Sequence, residues 1–156
     1  MSKGKNATSA KGVSESSKAL AEHYLAAVKH DGLELRYVPR YLKTLELCLV
    51  AVQRHGLALR YVPKALKTSE LCFAIVQKCG CALEHVPKTF ITPELCLAAV
   101  ENDGWALRYV PKKFKAPELC LAAVQQDASA LEYVPEALKT PELCSVATET
   151  TKKSSM

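Results

Sequence analysis

The chain repeats a 24-residue phrase, close to x-A-L-R-Y-V-P-K-x-L-K-T-P-E-L-C-L-A-A-V-Q-x-D-G, over residues 33–56, 57–80, 81–104, 105–128 and 129–152. Residues 21–32 (AEHYLAAVKHDG) match its second half, with Glu22, Ala26, Ala27, Val28, Asp31 and Gly32 in register. A period this short is too small for an independent domain. It specifies one supersecondary unit that buries its apolar face only against copies of itself, that is, a solenoid or array.

Punctuation within the phrase sets the unit's elements. In Thr92-Pro93-Glu94-Leu95 and Thr140-Pro141-Glu142-Leu143 the threonine is a good helix N-cap. Proline then fits the first helical position, where no N–H is required, and glutamate faces the positive helix end. Thr44 and Thr68 keep the cap, whereas Ala116 lacks the hydroxyl, a local loss of about 1 kcal/mol. The helix runs through C-L-A-A-V and reaches a glycine slot, Gly32, Gly56, Gly80 and Gly104, where a left-handed C-terminal cap is expected; Ala128 is the exception. A second helical piece of one to two turns follows and ends before Pro39, Pro63, Pro87, Pro111 and Pro135, since proline bars its predecessor from the α region. A short turn with an apolar anchor at Leu42, Leu66, Phe90, Phe114 or Leu138 leads to the next cap.

The fold class that follows is all-α, an α-solenoid of stacked helix-turn-helix units. Six consecutive apolar positions, Leu95 to Val100, leave the helix no wide polar face in its middle, so neighbours must cover it on several sides. Paired alanines such as Ala98/Ala99 and Ala122/Ala123 allow close backbone approach. The organisation expected is a disordered polar tail at 1–20, a repeat domain at 21–147 with units starting at 33, 57, 81, 105 and 129, and a disordered tail at 148–156. Ser145 and Thr148 make the last unit a poor cap, and an open end invites self-association. No apolar run reaches membrane-spanning length, so no membrane partner is expected.

The recurring phrase L-A-A-V-x-x-(N/D)-G-x-A-L-x-Y resembles the bacterial helical-repeat family known as domain of unknown function 4116, across roughly residues 21–143. The resemblance implies a helical repeat protein and a bacterial binding role. It carries no catalytic residue over to this chain.

Cysteine recurs once per unit at Cys48, Cys72, Cys96, Cys120 and Cys144. Stacked helices lie about 8–10 Å apart, while a disulfide needs Cα atoms within about 7 Å. The ladder therefore reads as packed, reduced thiols, which fits a cytoplasmic setting. Cys79 and Cys81 flank Gly80 at an exposed corner and are the weak candidates for a metal or redox role. They are also the thiols expected to react first, although no further ligand stands at metal-binding spacing.

Catalysis finds no constellation. His23, His30, His55 and His85 occupy four different slots, there is no Ser/His/Asp grouping or phosphate-binding glycine loop, and the recurrent glutamate is explained by the helix N-terminus. No cofactor is implied, and the chain reads as a non-enzyme.

Binding is better supported. Arg36, Arg60 and Arg108 precede the aromatic slot Tyr37, Tyr61, Tyr109 and Tyr133; Arg40, Lys64, Lys88 and Lys112 follow the proline, and Lys43, Lys67, Lys115 and Lys139 close the turn. Stacking turns these into a ridge that carries much of the formal charge of +5. Glu84, Glu132 and Glu136 reverse the sign within the rows, which suits a protein partner with mixed charges better than a phosphate backbone. The expected function is a protein-binding scaffold, with nucleic-acid binding through the same ridge as the alternative and an ordinary solvated face as the plainest reading. The Ser-rich N-terminus reads equally as a plain tail and as a type III export signal of an effector sent into a host cell.

Overall fold

In the computed structural model, residues 15–156 are described. Six α-helices alternate with pairs of 3₁₀ helices, and there is no strand among the described residues. The α-helices are α1 (Glu15–His30), α2 (Leu45–Arg54), α3 (Ser69–Lys78), α4 (Pro93–Asn102), α5 (Pro117–Gln126) and α6 (Pro141–Ser154). Between successive α-helices lies a six-residue 3₁₀ helix, as at Gly104–Tyr109, and after the proline a three-residue one, as at Lys112–Phe114. The chain is thus a two-layer stack with α-helices on one side and 3₁₀ helices on the other.

Each α-helix starts as its cap dictates. The hydroxyls of Thr44, Thr68, Thr92 and Thr140 accept from the N–H groups of Leu47, Leu71, Leu95 and Leu143, each at 3.2 Å. Ala116 makes no such bond, yet its backbone (φ −81°, ψ 159°) is that of Thr140 (φ −79°, ψ 158°). Ala116→Thr should therefore stabilise the protein by about 1 kcal/mol with no rearrangement. Chemical denaturation checks this, and an unchanged midpoint would show that α5 draws its stability from packing alone.

The second element is a 3₁₀ helix where one to two turns of helix were expected. Proline ends it after six residues, with the preceding valine extended (Val110 φ −70°, ψ 127°), so the segment is too short to gain from i→i+4 bonding. Its start has a cap that the sequence reading did not identify. Asp31, Asp103 and Asp127 accept from the N–H two residues on, at 2.9, 3.0 and 2.9 Å. His55 and Cys79 stand in the same slot and supply no cap; the His55 Nδ1 is buried without a hydrogen-bond partner.

The glycine slot corrects an expectation. None of the four glycines has the positive φ of a left-handed cap. Close approach is what demands them: a Cβ on Gly32, Gly80 or Gly104 would lie 2.1, 2.3 or 2.4 Å from the carbonyl oxygen of Ala51, Ala99 or Ala123 in the next α-helix. Ordinary backbone sets no conformational bar to Ala128 in the same slot, where it faces Ala147 of α6, so this last junction holds a methyl that the Gly32, Gly80 and Gly104 junctions do not.

Between the layers runs one continuous apolar core. Leu35, Leu59, Leu83 and Leu107 come from the 3₁₀ layer, and Cys48, Cys72, Cys96, Cys120, Val76, Val100 and Val124 from the α layer, all essentially inaccessible. No polar or charged residue is buried among the described residues. The α-helices are not covered all round, however: Phe73, Leu97 and Leu121 remain 37–39% exposed on the outer face.

One junction differs from the rest. The slot that brings the next α-helix against the glycine is Ala51, Ala99 and Ala123, but Ile75 in α3. There the Gly56 position faces the Cys79 side chain and the Ile75 Cγ2 rather than a backbone carbonyl. The backbones of α2 and α3 hardly approach one another, whereas every other consecutive α pair packs closely. The six-residue 3₁₀ helices stay stacked through this junction, so the array opens where α3 draws away both from α2 and from the 3₁₀ helix Gly56–Tyr61.

Both ends also depart from expectation. Residues 148–156 were expected to be disordered, but α6 continues to Ser154. That stretch contains no glycine or proline, Lys152 and Lys153 lie at the negative end of the helix dipole, and the Thr148, Thr150 and Thr151 hydroxyls bond back to preceding carbonyls. At the other end α1 begins at Glu15 rather than near Ala21, with Glu15 in its favoured first turn. The remainder of the expected N-terminal tail, residues 1–14, lies outside the described residues. Where the stack ends, slots that are apolar and buried elsewhere become polar or exposed, as at His23 and Thr148.

Candidate functional site

The 3₁₀ layer presents the basic and aromatic residues singled out above. Each arginine guanidinium lies over its neighbouring ring, Arg36 on Tyr37 at 4.3 Å, Arg60 on Tyr61 at 5.2 Å and Arg108 on Tyr109 at 5.0 Å. Arg108 also reaches the ring of Trp105 at 6.0 Å and, in the next unit, that of Tyr133 at 5.7 Å. The Trp105 and Tyr133 centroids are themselves 5.7 Å apart. Tyr61, Tyr109 and Tyr133 are half-buried; Tyr37, with no complete unit before it, is 57% exposed.

Arg40, Lys64, Lys88 and Lys112 each open a three-residue 3₁₀ helix, and all four are exposed. None of them forms an ion pair among the described residues. Glu136 ends this row in the last unit, and Glu84 and Glu132 stand in the arginine slot. Burial, followed by the Glu84 carboxylate against its hydroxyl, raises the Tyr109 pKa. Burial lowers that of His85, which takes the tyrosine slot in its unit.

The row Lys43, Lys67 and Lys115 has a different role from the one expected. These side chains turn inward and donate to the main-chain oxygens of Tyr61, His85 and Tyr133 in the following unit, at 3.0, 2.8 and 2.8 Å. They fasten one unit to the next, and burial lowers the pKa of all three. Lys139 has no following unit and bonds Glu136 instead, at 2.5 Å. Ile91 replaces the lysine between the third and fourth units, so Tyr109 receives no such bond. The exposed cations of this face are therefore the arginines, the post-proline row and Lys113, whose ammonium lies 4.6 Å from the centre of the Phe114 ring.

Between units the ridge is notched. One notch of about 470 Å³ is lined by Glu84, Lys88, Ile91, Tyr109, Pro111 and Phe114 among others. The next, of about 510 Å³, is lined by the equivalent Lys112, Lys115, Tyr133, Pro135 and Leu138, together with Glu136. Each notch thus has an aromatic wall, a proline edge and an apolar floor with a lysine at its lip. This arrangement can accept small apolar groups beside a negative charge.

Cys79 and Cys81 do not converge. The Cys79 side chain packs back toward Gly56, while the Cys81 thiol donates forward to the Asp103 carboxylate at 2.7 Å. Burial and that carboxylate push the Cys81 pKa up to about 12. No group of three or more metal-ligating side chains occurs among the described residues. Cys144, which no later unit covers, is the exposed thiol, whereas Cys48, Cys72, Cys96 and Cys120 are inaccessible.

The labelling order expected from the sequence is corrected accordingly. At mildly alkaline pH Cys144 should alkylate first and Cys79 next. Cys81 should lag despite its partial exposure, because little of it is thiolate, and the four buried thiols should react last. Mass spectrometry of a timed alkylation reads this order. Comparable rates for Cys144 and Cys96 would contradict the packing described.

Stacked α/3₁₀ units with a capped helix start and a proline-ended turn define an all-α repeat solenoid. The family model described as "Domain of unknown function (DUF4116)" matches residues 24–67, 68–115 and 92–139. The chain belongs to this family, and the second and third matches begin 24 residues apart, one unit of the stack. No curated protein and no solved structure shows significant similarity to the chain.

Proposed function

We propose that this protein is a non-enzymatic scaffold that binds another protein along the 3₁₀ face. The observation that carries this reading is the exposed, unpaired row Arg40, Lys64, Lys88 and Lys112 running beside half-buried tyrosines and notches at unit spacing. Half-buried aromatics backed by arginine are the residues that dominate protein interfaces. Glu84 and Glu132 in the arginine slot, and Glu136 at the end of the post-proline row, count against a phosphate backbone, whose continuous charge would meet these glutamates as well as the cations. The buried free thiols suit a reducing cytoplasm, where a bacterial protein of this kind, or an effector delivered into a host cell, would work.

The test is a pair of variants read against the native partner. Tyr61→Ala with Tyr109→Ala should abolish capture while leaving the helical spectrum unchanged. For the competing nucleic-acid reading, replacing Lys64, Lys88 and Lys112 by glutamate should lower the salt slope of binding by about 0.9 per lost contact on duplex DNA. Tight, length-dependent binding to DNA or RNA at physiological salt would overturn the protein-binding proposal.

A further inference from the structure

We infer, on the basis of that reading, that the ridge receives an acidic segment of its partner in the polyproline II conformation, with one acidic residue at every third position. The argument starts from spacing. Units of packed helices repeat at about 8–10 Å, and three residues of polyproline II advance about 9.3 Å, returning the side chain to the same face. Extended strand covers a similar distance in three residues but points the third side chain to the opposite face. An α-helix regains its face only after seven residues and about 10.5 Å, so it drifts out of step along the row.

The chemistry of the ridge agrees with that geometry. Arg40, Lys64, Lys88 and Lys112 supply one exposed cation in each of four consecutive units, and Glu136 in the fifth repels a further acid, which fixes where the segment stops. Beside Lys88 and Lys112, the notches walled by Tyr109 and Pro111, and by Tyr133 and Pro135, offer the aromatic walls on which polyproline II segments dock. The six-residue 3₁₀ helix that precedes each of these cations stacks on the next one through every junction, including the one that opens between α2 and α3. Four cations correspond to acids at positions 1, 4, 7 and 10 of the bound segment.

Trp105, the chain's single tryptophan, sits between Arg108 and Tyr133 and reports on ridge occupancy by its fluorescence. The full-length protein is titrated with the peptide (Glu-Pro-Pro)4, with a peptide of identical composition whose glutamates are clustered at the two ends, with (Glu-Gly-Gly)4, and with single-stranded oligonucleotide. The evenly spaced proline peptide should bind about tenfold more tightly than the clustered one, as expected for electrostatic complementarity in register, and more tightly than the glycine peptide. Lys88→Glu should remove that preference, while Lys153→Glu on α6, an equal change in net charge away from the ridge, should not.

Equal affinity for spaced and clustered glutamates would overturn the inference, as would equal affinity for the glycine peptide. Stronger binding of the oligonucleotide than of any peptide would overturn both this inference and the protein-binding proposal. If every peptide is silent, a photo-crosslinker at position 88 in the native cell separates the two. A protein trapped there and lost in Tyr109→Ala leaves the scaffold reading standing with a partner of another shape, and no trapped protein removes both.

Discussion

Gly104→Ala is expected to destabilise the protein by about 3 kcal/mol, the upper end of what overpacking a well-packed interior costs. The new methyl would lie 2.4 Å from the Ala123 carbonyl oxygen and 3.0 Å from the backbone nitrogen of Asp127. Backbone cannot rotate away as a side chain can. To make room, α5 must withdraw, taking the fully buried Ala123 and Val124 with it. Stability in a repeat array is carried largely by the interfaces between neighbours. Loss of this one should therefore also split unfolding into two steps, lowering the apparent m-value in urea. Gly104→Asn separates the present account from a left-handed cap. Asparagine tolerates the left-handed region better than alanine does, so a cap would favour Asn over Ala, whereas a close-approach site makes Asn the worse of the two. Asn found more stable than Ala would overturn the assignment.

What the sequence made legible lies mostly within a unit. The threonine caps at Thr44, Thr68, Thr92 and Thr140, the missing cap at Ala116 and the breaks at each proline depend on neighbours a few residues away, and all stand as expected. What was misread lies between units. The glycine slot looked like a local cap because glycine serves both purposes, and only the register of the next helix shows that Ala99 and Ala123 press against it. Lys43, Lys67 and Lys115 looked like surface cations because their acceptors lie 18 residues away. A signal was present in Ile91, an apolar residue in an otherwise basic row, which marks a half-buried position. Seven residues between an aspartate and a proline, the last of them held extended by the proline, also leave little choice but a 3₁₀ helix. At the C-terminus, polar composition suggested disorder, yet threonines bonded back to their own helix and two terminal lysines suffice to continue α6. For the candidate site, the arginine, tyrosine and post-proline residues were all legible, and the notches between them were not, since they exist only once units stack.

The open junction between α2 and α3 gives the other large effect. Ile75 is 5% exposed, and its Cγ2 lies 3.7 Å from where a Gly56 Cβ would stand. Truncating a buried isoleucine to alanine ordinarily costs about 2–5 kcal/mol, with the spread set by how far the site can collapse. Ile75→Ala should fall at the low end, near 2 kcal/mol, because alanine is what the slot holds in α2, α4 and α5, where the helices do close up. Collapse also has a geometric readout. Spin labels at Gln53 and Gln77, both exposed on the outer ends of α2 and α3, should move closer together, while labels at Gln77 and Glu101 across the already closed α3–α4 pair should not. Ala99→Ile is the converse: it should wedge α4 from α3 and cost about 1–3 kcal/mol by overpacking. An unchanged Gln53–Gln77 distance together with a loss near 5 kcal/mol would mean that Ile75 fills a fixed gap rather than creating it, and the cause of the opening would then lie elsewhere in the junction, with Cys79 against Gly56 the next position to exchange.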